Sequence, residues 1–191
     1  MSPNWFIGVP VAPGEWFSRV SDPPPGVRLF HPDDLHLTLA FLGGVSEEAA
    51  LRAWDALVWN LSSRQVTLGP VVAMGSPRSP SAFSALLEEG RAEVEAEMGA
   101  ARVACFTAAG SLPEKWPPKA HVTVARPGRN ATPEVREAGR LWGAALSLGA
   151  PEVLLDRLAL YTWAADRQRG PLFRIVRARP MPAPLVGRAE D

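Results

Sequence analysis

The chain is nearly without cysteine: Cys105 is the only one in 191 residues. That excludes an intramolecular disulfide and a cysteine-rich zinc site, and it favours a reducing compartment. It also lacks an excess of either charge, since 20 Lys and Arg balance 20 Asp and Glu. Without a polycationic surface, any contact with nucleic acid has to be local, at a terminus or a short fragment rather than along a duplex. No apolar run reaches the roughly 18 residues of a membrane span. Residues 1–13 carry no basic stretch ahead of their apolar one, so they read as a first strand rather than a leader. The expectation is a cytoplasmic protein with no membrane contact. Proline, by contrast, is abundant at 20 residues, and it clusters at 23–25, 113–118 and 180–184, where it marks loops and a tail.

Histidine is also scarce, with 3 in the chain, and threonine numbers only 6. Yet two of the three histidines are followed two residues later by threonine, inside apolar runs. The first is Leu35-His36-Leu37-Thr38-Leu39-Ala40-Phe41-Leu42, and the second is Ala120-His121-Val122-Thr123-Val124-Ala125-Arg126. By composition a given histidine would have such a threonine roughly one time in thirty. In an extended strand alternate side chains share a face, so each run places His and Thr on one side and aliphatic residues on the other. Either copy alone reads as a structural histidine near a strand edge. Two copies, one early and one late in the chain, point to one site built from two similar halves.

The rest of the pattern supports that reading. Trp5 to Val11 reads as a strand, and Glu15 to Val20 as a short helix. The prolines of 21–26 exclude regular structure, and Val27 to Asp34 reads as a loop leading to a strand at His36 to Leu42. Ser46 with Glu47 and Glu48 starts an amphipathic helix expected over Glu47 to Leu61. Strands are expected over Gln65 to Met74 and Ala82 to Leu87, with a loop at 76–81. A helix from Arg91 to Met98 is expected to stop at Gly99, and Val103 to Thr107 is ambiguous. After a loop over 108–119 comes the second motif strand, His121 to Arg126. A helix follows, capped by Thr132 with Pro133 at its start. A strand over Val153 to Trp163, a polar turn at 166–170 and a partner strand over Leu172 to Arg179 complete the order, with 180–191 as a loose tail.

Each half thus has a loop, a His-Thr strand, a capped helix and two further strand candidates. The expected fold is α+β: one domain over 1–191, made of two pseudo-symmetric lobes. Each lobe is an antiparallel sheet with helices on its outer face, and a cleft lies between them. Two imidazoles and two hydroxyls facing a cleft suit acid–base chemistry on a phosphate ester. One neutral histidine takes a proton from water, and the other, protonated, gives one to the leaving oxygen. Thr38 and Thr123 can donate to phosphate oxygens, and Arg126 can offset the charge through its planar fork, so no metal or other cofactor is needed.

His36-Leu37-Thr38-Leu39 and His121-Val122-Thr123-Val124 resemble the paired His-x-Thr-x signatures of the 2H phosphoesterase superfamily. The opening Trp5-Phe6-Ile7-Gly8-Val9-Pro10, the run from Leu35 to Gly43, and Leu160-Tyr161 with Gly170-Pro171-Leu172-Phe173 resemble one group in particular: the RNA 2′,3′-cyclic phosphodiesterases, also called 2′-5′ RNA ligase or LigT-like. The middle of the chain, 68–119, departs from that group's pattern. The resemblance implies metal-independent hydrolysis of an RNA terminal 2′,3′-cyclic phosphate to a 2′-phosphate, with weak 2′-5′ ligase activity. It implies His36 as proton donor and His121 as proton acceptor, Thr38, Thr123 and Arg126 as substrate-binding, and a monomer acting on RNA ends. Two alternatives stand beside it: a cyclic phosphodiesterase for a small nucleotide or ADP-ribose derivative, and a non-catalytic module that binds a nucleotide or RNA end.

Several neighbours read as structural. Phe41, five residues from His36, falls on the opposite face of a regular strand and is expected in the core. Core or edge packing is likewise expected for Tyr161 and Trp163. In His31-Pro32-Asp33-Asp34-Leu35-His36 the proline breaks any helical ligand spacing, so a metal site is not expected. Trp54, Trp59 and Trp142 read as anchors, and Cys105 as a small buried hydrophobe.

Overall fold

The computed structural model describes residues 3–166 and 170–184. Nine strands form one antiparallel sheet. They are β1 (Trp5–Pro10), β2 (Val27–Leu29), β3 (His36–Gly43), β4 (Arg64–Ser76), β5 (Ser79–Leu87), β6 (His121–Pro127), β7 (Glu152–Leu155), β8 (Arg157–Trp163) and β9 (Phe173–Pro180). The order across the sheet is β7-β4-β5-β6-β3-β1-β8-β9, and β2 pairs with β6. The helices are α1 (Gly14–Phe17), α2 (Glu47–Ala56), α3 (Arg91–Ala109) and α4 (Pro133–Ala145). None of these helices is long and apolar enough to cross a membrane.

Two lobes meet at the centre of this sheet, where the motif strands β3 and β6 pair at a single rung, Leu37 opposite Val122. On one side lie β3, β1, β8 and β9, with α2 and α3 packed on β1 and β3. On the other lie β6, β5, β4 and β7, with α4 packed on β4 and β5. The lobes interleave the chain. The β4–β5 hairpin, which follows β3, crosses to pair with β6, and the β8–β9 hairpin, which follows β6, crosses back to pair with β1. The aliphatic faces of both motif strands are shut into the core, with Leu37, Val122 and Val124 fully buried.

Local chemistry sets the helix ends. Ser46 caps α2 by accepting from the Ala49 amide at 3.3 Å, and Thr132 caps α4 by accepting from Val135. The helix expected over Glu47 to Leu61 ends sooner, at Ala56. Leu57 is extended and buried, and its carbonyl accepts from Arg179, whose guanidinium stacks over Trp54. The helix expected to stop at Gly99 runs on to Ala109. The core stripe Val94, Met98, Ala101, Cys105 and Ala109 continues at helical spacing past it, and one interior glycine costs only about 1 kcal/mol. The real stop is Gly110, at φ 66°.

Three further expectations are corrected. Val27 to Asp34 is not all loop, since it holds β2 and a 3₁₀ turn over Pro32–Asp34. The expected loop at 76–81 is a tight hairpin turn between β4 and β5, which pair as far as Ser76 and Ser79. The strand expected over Val153 to Trp163 splits at Asp156, with β7 joining β4 in one lobe and β8 joining β1 in the other. The expected tail begins docked. Met181 is buried, its amide donates to the Asp156 carbonyl at 2.8 Å, and the Pro182 carbonyl accepts from Ser63. The rest of that tail, 185–191, and residues 167–169 of the expected polar turn lie outside the described residues. Helix α1, expected over Glu15 to Val20, is a single turn ending at Phe17. Cys105 is fully buried in α3, and burial pushes its thiol up to about 11.

Candidate active site

The two motif strands carry the same irregularity. Along β3, Thr38 pairs with Gly8 and Ala40 with Ile7, so Leu39 is an extra residue, a β-bulge. Along β6, Thr123 pairs with Ser84 and Ala125 with Phe83, so Val124 is extra in the same way. Each bulge lies one residue beyond the threonine. It lets two successive residues, Leu39-Ala40 or Val124-Ala125, bury in the core, and it reverses the facing of everything after it. The fifth residue after each histidine therefore turns toward the cleft, which brings Phe41 and Arg126 to corresponding positions. Phe41 is not in the core: it is 45% exposed and lines the cleft.

Both histidines are held by one device. His36 Nδ1 lies 2.6 Å from the carbonyl oxygen of Asp34, and His121 Nδ1 lies 2.6 Å from that of Lys119. A carbonyl only accepts, so each Nδ1 carries the proton and each neutral ring keeps its lone pair on Nε2. At the Leu37–Val122 rung, one step along each strand brings His36 beside Thr123 and Thr38 beside His121. The imidazoles are close enough for the charge of one to lower the pKa of the other.

Their settings differ. His36 is buried, and that desolvation, with smaller contributions from Arg126 and His121, brings its pKa down to about 4 against the pull of the Asp34 carbonyl. Three aromatic rings surround it. Phe6 stacks on it at 4.6 Å between centroids, Tyr161 lies tilted at 5.4 Å, and Phe173 stands edge-on at 5.5 Å. His121 is half-buried. Burial lowers its pKa as well, assisted by Lys119 and Arg126, while the Lys119 carbonyl and the Glu95 carboxylate oppose the shift. Glu95 Oε1 accepts from the Ala120 amide at 2.9 Å and from Arg91 at 2.7 Å.

His36, Thr38 and Arg126 line one cavity of about 280 Å³ together with Asn4, Phe6, Phe41, Trp163, Leu172 and Phe173. Arg126 is exposed, and its guanidinium carbon lies 5.4 Å from the Phe30 ring centroid. Arg28 on β2 sits directly opposite Arg126 in register. His121 and Thr123 lie on the adjoining strand and do not line that cavity. Thr123 is buried, with its hydroxyl 3.1 Å from that of the fully buried Ser84. A second cavity of about 250 Å³, between Trp16 and Pro151, shares no residue with the first.

Several residues at the site were not legible as such. Trp163 lines the cavity, against the expectation of core or edge packing, whereas Tyr161 is buried as expected and stacks on Phe6 at 4.7 Å. Ser84 gives no sequence signal. Asp34 lies two residues before His36, within the stretch whose proline argues against a metal site. It is buried, and its carboxylate accepts from the amides of Leu172 at 2.8 Å and Phe173 at 3.0 Å. His31 caps the 3₁₀ turn by accepting from the Asp33 amide.

No protein-family model and no curated protein matches the sequence. Solved structures do match in fold. E. coli LigT bound to 3′-AMP superposes with a TM-score of 0.70 at 18% identity, over 94% of this chain and 99% of LigT. A Thermus thermophilus protein, TT0787, gives 0.68 at 19%, over 95% and 99%. E. coli LigT bound to NADP+ gives 0.66 at 19%, with the same coverage of 95% and 99%. Along nearly its whole length this chain has the fold of E. coli LigT.

Proposed function

We propose that this protein is a metal-independent phosphodiesterase that opens the 2′,3′-cyclic phosphate at an RNA end to leave a 2′-phosphate. The observation that carries the reading is the repeated clamp. Two imidazoles on adjacent strands each have Nδ1 tied to a carbonyl, so both present Nε2 for proton transfer. Burial disfavours the imidazolium form of both rings. A bound cyclic phosphate brings one negative charge and so favours one added proton. One ring then becomes the acid while the other remains the base.

In the proposed reaction His121 Nε2 takes a proton from water as the water oxygen attacks phosphorus. The bond from phosphorus to O3′ breaks, and O3′ takes its proton from His36. Thr38 and Thr123 donate to the non-bridging oxygens, and Ser84 fixes the Thr123 hydroxyl by donating to it. Arg126 stabilises the charge that builds up on the phosphoryl oxygens. With a 5′-hydroxyl attacking phosphorus in place of water, the same proton transfers and the same break of the bond to O3′ give weak 2′-5′ ligation, and the reverse step opens that linkage.

The RNA-end reading draws on the pairing of Arg28 opposite Arg126 in register, which puts two basic residues at neighbouring positions on β2 and β6. A small cyclic nucleotide is the second reading. It is favoured by E. coli LigT having been solved with 3′-AMP, ATP and NADP+. We place the enzyme in the reducing cytoplasm, a reading supported by its single, buried cysteine.

The test is incubation with an oligonucleotide ending in a 2′,3′-cyclic phosphate, beside the matching mononucleotide, with EDTA present. A 2′-phosphate product, formed faster on the oligonucleotide, is expected. Unchanged substrates across a pH series overturn the reading, loss of activity on adding EDTA overturns the metal-free mechanism, and preference for the mononucleotide selects the second reading.

A further inference from the structure

We propose that Asp34 is a positioning residue, whose buried carboxylate holds the Leu172–Phe173 segment as a wall against the ring of His36. The inference rests on His36 being a reacting group. Asp34 touches the site twice. Its main-chain carbonyl accepts from His36 Nδ1, which fixes the tautomer and the plane of the imidazole. Its carboxylate, 1% exposed, spends each oxygen on a different main-chain amide, Leu172 at 2.8 Å and Phe173 at 3.0 Å. An ionised carboxylate suits that arrangement, because both oxygens accept. Burial raises its pKa, and the two amides, with the charges of His31 and Arg28, oppose the rise.

Those amides lie at the start of β9, an edge strand that among the described residues pairs only with β8. Pairing with β8 brings Phe173 opposite Trp163. The Asp34 carboxylate ties the start of β9 by hydrogen bonds to the chain leading into β3, where the Phe30 ring also lies 6.5 Å from that of Phe173. Through that tie Phe173 is kept edge-on to His36 and to Phe6, at 5.5 and 4.9 Å. Leu172 and Phe173 then both line the cleft and keep water from that side of the ring. The burial that keeps His36 neutral thus depends on a carboxylate that the imidazole never touches. The charged or titratable groups that do face His36 are Arg126 and His121 on β6 and the Tyr161 phenol on β8.

Asp34→Asn tests this. The amide is isosteric, but it can accept from only one of the two N–H groups and turns its own NH₂ toward the other. The protein has three histidines, so the His36 ring signals can be assigned by their loss in His36→Gln and followed by NMR against pH. In the folded Asp34→Asn variant the His36 titration is expected to move up from about 4 by a unit or more, toward the ordinary value near 6.5. On a cyclic-phosphate substrate the limb of the kcat–pH profile that reports the His36 acid is expected to move up with that titration, with a smaller change in KM. Met98→Ala, which opens a cavity in α3 away from the cleft, is the control for general destabilisation and should leave the His36 titration in place. Should Asp34→Asn not fold, Phe173→Leu removes the edge contact without touching Asp34 and is expected to move the titration the same way. A folded variant with an unmoved His36 titration, or an equal movement in Met98→Ala, overturns the proposal. Failure of the wild type to turn over any cyclic phosphate would instead count against the proposed reaction, and the NMR titration would still decide the positioning.

Discussion

Single residues divide the work of this cleft, and their roles can be separated by measurement. His36→Ala and His121→Ala are each expected to lower kcat by ~100-fold or more while binding persists, which steady-state kinetics and product titration would check. A wild-type rate in either would remove that histidine from the reaction. His36 also makes stability depend on pH. Its pKa in the folded chain is depressed to about 4 from 6.5, so the unfolded chain binds the proton more readily. Stability is therefore full above about pH 6.5 and falls as pH drops toward about 4, by up to about 3 kcal/mol from this group. His36→Gln should lose less stability than wild type between about pH 7.5 and 4.5, as read from urea midpoints. Equal losses in the two proteins would contradict the burial of a neutral ring. At this scale the sequence was informative where chemistry repeats: a histidine and a threonine at fixed spacing, twice, identified the strands that meet. It was uninformative for Ser84, which reaches the site through sheet pairing.

Elements show where local pattern suffices and where it fails. The caps at Ser46 and Thr132 and the apolar stripe of α4 were legible because a helix start is written in adjacent residues. The end of α2 was not, because Arg179 from the far end of the chain competes for the Leu57 carbonyl. The bulges at Leu39 and Val124 were not legible either, since an extra residue in one strand is defined only by its partner. That is why Phe41 was misplaced. Close approach is a further hidden constraint. A Cβ on Gly139 of α4 would lie 2.4 Å from the Phe83 ring on β5. Gly139→Ala gains about 1 kcal/mol of helix propensity but overpacks that contact, and a net loss of ~1–3 kcal/mol is expected in a denaturation curve. A gain in stability would show that α4 shifts freely on the sheet.

The whole molecule is tied together by its crossings. Each lobe takes strands from both ends of the chain, so neither has a complete sheet without the other. Thermal unfolding is accordingly expected as one transition, with near- and far-UV circular dichroism coincident; two separated transitions would show that the lobes are independent. The α+β class and the two-lobed plan were readable from the order of elements. The interleaving was not, because nothing in a strand's own residues says which side of the centre it joins. The tie between Asp34 and the start of β9 also has a temporal consequence. During synthesis β3 and β6 leave the ribosome well before β9, so for a time the nascent chain holds both histidines while His36 still lacks its aromatic wall. That side of the imidazole is walled in only when the hairpin that ends in β9 has crossed back and docked on Asp34.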